Sequence, residues 1–140
     1  MTKKKASRKS IIKKLDTIFS IYIRRRYAIN DVAECVTCGK RDNWKKLQAG
    51  HFMSRKHYAT RWDEDNVEVQ CMGCNVYRYG EQYLFSKHLG KTKSDDLLVK
   101  SRAIKKFSDF DLLELIDIYE QKVHNLLTDS KVKTLSLQCH

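Results

Sequence analysis

The chain has 140 residues, with 28 Lys and Arg against 17 Asp and Glu, so it carries a formal charge of +11. It is 41% apolar with a mean hydropathy of −0.60, enough for one modest core, and no apolar run nears the ~18–20 residues that a bilayer span needs. Proline is absent and glycine numbers 5, which argues against collagen-like, low-complexity or turn-dense all-β chains. The Lys-rich start shows no signal-peptide pattern, so a cytoplasmic protein with many helical residues and no membrane partner is expected.

Residues 1–9 are basic, lack an apolar anchor and read as a flexible arm. From Ser10 the apolar residues Ile11, Ile12, Leu15, Ile18, Phe19, Tyr22 and Ile23 recur every three or four positions, which predicts an amphipathic helix over about 10–28. Arg24, Arg25 and Arg26 suit its C-terminus. They also spread around the helix, so some must point away from the core, toward phosphate. Residues 29–75 turn to short β-favouring pieces, 47–52 and 66–70, separated by turn-like clusters. This segment is too polar to hold a core alone and needs a staple. A helix follows over about 75–89, with Gly90 as its cap. Ser94-Asp95-Asp96 reads as a further helix start. A last amphipathic helix is expected over about 108–127, and 128–140 as a frayed tail. The expectation is α+β: one domain over 10–127, a stapled core over about 31–90, and flanking helices.

Charge is segregated along this order. Residues 1–30 hold ten basic groups and one acid, 31–75 seven of each, 76–107 eight and three, and 108–140 three and six. Two positive segments flanking a neutral middle point to a polyanion, and nucleic acid is the commonest one.

Four of the five cysteines form two C-x-x-C pairs, Cys35/Cys38 and Cys71/Cys74. A redox pair or buried apolar thiols would explain one knuckle. Two knuckles in a basic, small-core chain point to four thiolates around one Zn²⁺. Four thiolates fill the coordination shell, so this zinc is structural. Cys139 and His140 lie in the tail without obvious partners.

The segment between the knuckles carries a second pattern. His51 ends one predicted strand, Asn66 opens the next, and Asn75 follows Cys74 directly. Strand–His–loop–Asn–strand–knuckle–Asn–helix is the order of a ββα-metal site, whose chemistry is metal-assisted phosphodiester hydrolysis. The imidazole of His51 would deprotonate a water. Asn75 would ligate one Mg²⁺ or Mn²⁺, and Asn66 would tie the loop through backbone hydrogen bonds. Each residue alone has a bland role: surface His, turn Asn, helix cap. Their conjunction carries the inference.

The runs Gly50-His51-Phe52-Met53-Ser54-Arg55, Arg61-Trp62-Asp63-Glu64-Asp65-Asn66-Val67 and Gln70-Cys71-Met72-Gly73-Cys74-Asn75, then Gly80 and Tyr83, resemble the phage NinG/Rap recombination nucleases. Tyr22 to Arg26 before Cys35-Val36-Thr37-Cys38-Gly39 also resembles that family. The likeness covers about residues 18–90, and the stapled core is similar to phage recombination endonuclease VII. The resemblance implies an HNH-type endonuclease with zinc at the four cysteines, His51 as general base, Asn75 as metal ligand and Asn66 fixing the loop. It further implies cleavage of branched DNA such as Holliday junctions, flaps or D-loops, in a phage-infected cell. HNH nucleases commonly carry a metal-binding acid just before the base His; here that position is Gly50. His57, Asp63, Asp65 or water are the alternatives for a second ligand.

Arg55 and Arg61 are candidate phosphate contacts, with salt bridges to Asp63, Glu64 or Asp65 as the alternative. Trp44, Tyr58 and Trp62 either stack on unpaired bases or fill the core, the commoner role. Two other functions compete: a non-catalytic zinc-finger DNA-binding or recombination accessory protein, and a sequence-specific HNH homing or restriction enzyme. A symmetric junction would favour a homodimer, and the two amphipathic helices could serve as its interface.

Overall fold

The strand pieces of the middle segment pair as two separate antiparallel hairpins rather than one sheet. The computed structural model describes residues 2–138, with side chains up to residue 129; Cys139 and His140 lie outside the described residues. The fold is α+β. The chain divides into two compact units, one formed by the residues up to Tyr22 with those from Phe107 onward, the other by Ile23–Lys106.

In the first unit, helix α1 (Arg8–Arg25) starts at a Ser7 cap, whose Oγ accepts the Ser10 N–H at 3.2 Å. Its stripe buries Ile11, Leu15 and Phe19. The opposing stripe comes from α5 (Asp109–Gln138), which buries Leu112, Ile116 and Tyr119. The Phe19 ring meets Tyr119 edge-on at 4.9 Å. Each such side chain withdrawn from water contributes roughly 1.5–3 kcal/mol. Ser108 and Asp111 form a reciprocal cap at the start of α5: Oγ takes the Asp111 N–H at 3.1 Å, and the Asp111 carboxylate takes the Ser108 N–H at 2.9 Å. Arg8–Asp109 at 2.9 Å and Lys14–Glu120 at 3.5 Å are exposed pairs that fix register more than they stabilise. The last helix runs on to Gln138, past the expected end at 127, because residues 128–138 contain neither Gly nor Pro to stop it.

In the second unit the chain leaves α1 at Arg25, earlier than the expected 28. Asn30 and Asp31 adopt positive φ, and Ile29 bridges back to Val32. Strands β1 (Val32–Glu34) and β2 (Arg41–Asn43) make a hairpin whose loop is the first cysteine knuckle. A 3₁₀ turn, Trp44–Lys46, leads to β3 (Gln48–His51), which pairs with β4 (Val67–Gln70). The long connection between them contains one helical turn, α2 (Tyr58–Arg61). After β4 the second knuckle winds into a π-helical turn, Gly73–Tyr77. The expected helix over 75–89 is therefore interrupted. Tyr79, Gly80 and Glu81 all take positive φ, and α3 covers only Gln82–Leu89. Gly90 caps α3 at φ 85°, and α4 (Lys91–Ser101) begins at once, three residues before the expected Ser94. Ser94 instead donates its hydroxyl to Gly90 O at 2.8 Å. Ile23, Trp44, Leu47, Trp62, Val67, Val69, Phe85 and Leu97 form this unit's core around the cysteines.

Candidate metal centre and histidine site

The first knuckle is shaped by its hairpin. Cys35 N–H bonds to Lys40 O and Gly39 N–H to Cys35 O, both at 2.9 Å, with Gly39 at φ 78° closing the turn. Val36 N–H then reaches Val69 O at 3.0 Å, which ties this knuckle to β4. Because β4 runs directly into Cys71, the second knuckle arrives at the same place. The four sulfurs lie within 4.8 Å of one another, and Cys38 Sγ is 3.7 Å from Cys71 Sγ. A tetrahedral shell at a Zn–S distance of about 2.3 Å has edges of about 3.8 Å. The residues therefore fit one tetrahedral ion. Cys35, Cys71 and Cys74 are buried and Cys38 is exposed.

The surroundings offer donors to the sulfurs. Arg78 Nη2 donates to Cys74 Sγ at 3.2 Å, and the Cys74 N–H points at Cys71 Sγ at 3.4 Å. The Arg78–Cys74 bond, together with charge attraction to the Cys74 sulfur, holds the Arg78 guanidinium above its ordinary range. Burial pushes the Cys35 thiol up, but the Thr37 hydroxyl and the backbone at Cys71, Thr37 and Cys38 outweigh it, leaving Cys35 lowered to about 6. At Cys38 a backbone bond from Lys40 acts downward. Burial and the bonds shared with Cys35, Cys71 and Cys74 win, raising it to about 12. Without a cation, crowded sulfurs resist ionising together. A divalent ion removes that conflict.

His51 closes β3 opposite Val67. Its Nε2 lies 3.0 Å from Arg61 O. A carbonyl only accepts, so Nε2 carries the proton and donates. In the neutral ring Nδ1 is then the basic nitrogen. The loop that brings Arg61 there is pinned by Asn66, which is fully buried. Asn66 Oδ1 accepts the Met53 N–H at 2.7 Å, and Nδ2 donates to Met53 O and Thr60 O, each at 3.0 Å. Asn75 sits in the π-helical turn, and its Nδ2 donates to Gln48 Oε1 at 2.7 Å. That bond fixes the amide and turns Oδ1 the other way.

Gly50 has a concrete cause. An added Cβ would lie 1.9 Å from Gln70 Oε1. Gln70 is fully buried, and its Nε2 donates to Gly80 O at 2.8 Å and to Thr37 Oγ1 at 3.2 Å. An acid at position 50 and this placement of Gln70 exclude each other. Of the alternative ligands, Asp63 binds Lys100 and accepts the Asp65 N–H at 2.9 Å, while Asp65 pairs with Lys93 at 3.4 Å. The His57 carbonyl accepts the Thr60 N–H at 3.2 Å. Among the described residues, the cysteines are the one group of three or more His, Cys, Asp or Glu placed to share an ion.

The arginines divide by surroundings. Arg24 and Arg25 lie over the Trp44 ring, 5.0 and 4.8 Å from its centre. Arg26, its side chain only 7% exposed, donates to Val67 O at 2.9 Å and Glu64 O at 3.2 Å and pairs with Glu68 at 3.3 Å. It clamps the start of β4. Arg61 donates to Arg55 O at 2.9 Å and lies against the Tyr58 and Trp62 rings. Its guanidinium shapes the loop whose carbonyl holds His51. Trp44 and Trp62 are buried and fill the core. Sequence reasoning missed Gln48, Gln70 and Arg78. The two glutamines occupy paired positions on one face of β3 and β4, and Arg78 stands one helical turn past Cys74, a spacing that carries the signal of a cation near a thiolate.

The chain belongs to the family of the bacteriophage lambda NinG protein, whose family model matches residues 1–129. No curated protein and no solved structure matches it. Among the described residues, no helix is long and apolar enough to cross a membrane.

Proposed function

We propose that this protein is a metal-dependent DNA endonuclease acting on branched recombination intermediates, with the cysteine cluster holding a structural zinc. The observation that carries the reading is the His51 ring, its Nε2 bonded to the Arg61 carbonyl, next to the Thr60 carbonyl that a fully buried Asn66 holds. A surface histidine needs no such fixing; a proton acceptor that must meet a water in line does.

A divalent cation, Mg²⁺ or Mn²⁺, held through Asn75 Oδ1, would stabilise charge on the scissile phosphate and the leaving 3′ oxygen. The other roles fall to the chain. His51 Nδ1 accepts a proton from the attacking water while that oxygen bonds to phosphorus. The bond from phosphorus to the 3′ oxygen breaks, and the oxygen leaves with its electron pair. The imidazolium formed keeps its Nε2–H bond to Arg61 O. Gln48 orients the Asn75 amide. Arg24, Arg25, Arg55 and Arg61, with the basic arm, supply phosphate contacts, while Arg26 positions β4 from within.

The test is a Mg²⁺ and Mn²⁺ digest of junction, flap and linear duplex DNA by wild type and His51→Ala. Wild type should cut branched DNA, and the variant should lose about 10²–10⁴-fold in rate while still binding DNA. Cutting by His51→Ala at the wild-type rate refutes His51 as the base, and binding without cutting of any of these DNAs by wild type leaves a zinc-stapled DNA-binding protein.

A further inference from the structure

Three tyrosines that follow Asn75 stand in solvent: Tyr77 is 73% exposed, Tyr79 89% and Tyr83 69%. Their segment is not slack. Tyr79, Gly80 and Glu81 run consecutively at φ 53°, 85° and 48°. Glycine takes that region freely, but a bulky aromatic there is an outlier that persists only when the surroundings enforce it. Here they do. Gly80 N–H bonds to Cys74 O at 2.8 Å, and Gly80 O accepts from buried Gln70 at 2.8 Å. Arg78 spans Cys74 Sγ at 3.2 Å and Glu81 at 3.0 Å.

A turn that needed only this backbone shape would be served better by Gly or Asn at position 79. The Tyr79 ring gains almost no burial in return for the strain, so what it does lies outside the fold. The neighbourhood says what it meets. Lys87 Nζ lies 4.9 Å from the centre of the Tyr83 ring, and residues 76–107 hold eight basic groups against three acids. Aromatic faces interleaved with cations suit a partner that offers flat rings and negative charge together. In a fully paired duplex the base faces are stacked on each other; only unpaired bases can lie on tyrosines.

We propose that Tyr77, Tyr79 and Tyr83 form a stacking platform for unpaired bases at the branch of a DNA substrate. This rests on the DNA-endonuclease reading and assigns the surface that tells a branch from continuous duplex. The three tyrosines follow Asn75 by two to eight residues, Tyr77 in its π-helical turn, Tyr79 in the strained turn and Tyr83 at the start of α3, so bases seated on them would be anchored close to the proposed cutting site.

The test reads binding alone, with Ca²⁺ replacing Mg²⁺ so that nothing is cut. The probes are a forked DNA with unpaired arms, carrying 2-aminopurine at the branch, and a blunt duplex of equal length. Tyr77→Ala, Tyr79→Ala and Tyr83→Ala should each weaken fork binding about 5–150-fold and leave duplex binding within about twofold. Tyr79→Phe should keep fork affinity within about twofold, since the ring face and not the hydroxyl stacks. Wild type should quench the 2-aminopurine and Tyr79→Ala should not. Tyr79→Gly should raise the melting temperature while weakening the fork complex. Equal losses on fork and duplex, no loss on either, or a lower melting temperature for Tyr79→Gly overturns the proposal. Because cleavage is not read, failure here leaves the His51 reading standing. Tyrosine-dependent fork binding by a protein that does not cut would sink the nuclease reading alone.

Discussion

Gly50→Ala tests the packing beneath the histidine site most directly. The new Cβ would lie 1.9 Å from Gln70 Oε1 and 2.7 Å from its Cδ, far inside contact distance. Gly50 is not among the positive-φ glycines, so the backbone itself tolerates alanine and the whole penalty is the collision. Relief requires Gln70 to swing away, which breaks its 2.8 Å bond to Gly80 O and its 3.2 Å bond to Thr37. Stranding that buried carbonyl costs about 1–3 kcal/mol, and crowding a packed site adds about 1–3 kcal/mol. A destabilisation of roughly 2–6 kcal/mol is expected. Gln70→Ala loses the same bonds by itself but empties the space. In that background Gly50→Ala should cost less than about 1 kcal/mol. The double-mutant cycle, read by urea denaturation of zinc-loaded protein, should therefore show coupling of about 1 kcal/mol or more. Additive effects would refute the account of Gly50, and with it the explanation for the missing acid.

The other predictions follow from the same contacts. Stripping the metal from the four cysteines should melt the structure of residues 31–80, because a zinc–thiolate site contributes on the order of 10 kcal/mol to folding; circular dichroism with metal analysis checks it, and a folded metal-free chain refutes it. Asn75→Ala should lose cleavage but recover part of it as Mn²⁺ is raised, whereas His51→Ala should not respond to metal, since it would lack the proposed base; identical metal titrations would break the assignment of roles. Arg26→Ala should destabilise by about 3 kcal/mol, because it leaves Glu68 only His88 as a partner and removes a donor from two carbonyls, and shift DNA affinity little; the reverse pattern would make Arg26 a phosphate contact. Deleting residues 2–6 should weaken binding to every DNA shape and flatten the salt dependence by up to about 0.9 per lysine lost; an unchanged slope would make the arm inert.

What the sequence discloses depends on whether local chemistry or distant contact sets a feature. The two knuckles, the His51 strand end and the start of α5 at Ser108 are legible because spacing or a short capping pattern determines them. The β1–β2 hairpin is not: three-residue strands of Val-Ala-Glu and Arg-Asp-Asn carry no alternating apolar signal, and the Cys35–Cys38 turn they flank is what holds them together. The break between Tyr77 and Gln82 is equally hidden. Nothing in Tyr-Arg-Tyr-Gly-Glu forbids helix except one glycine. The positive φ values there are imposed by Gln70, which approaches from another strand and takes Gly80 O. Gln70 can do so only because Gly50 lacks a side chain. The position that looks like a missing catalytic acid in the sequence is thus, in the structure, the vacancy that lets one buried amide reach across. That amide braces the turn after the second knuckle and, through the Thr37 hydroxyl 3.3 Å from Cys35 Sγ, also touches the first. A glycine read alone suggests a weakened metal site. Read with its cross-strand neighbour, it is the condition for joining the metal centre, the strained turn and the Asn75 segment into one rigid piece.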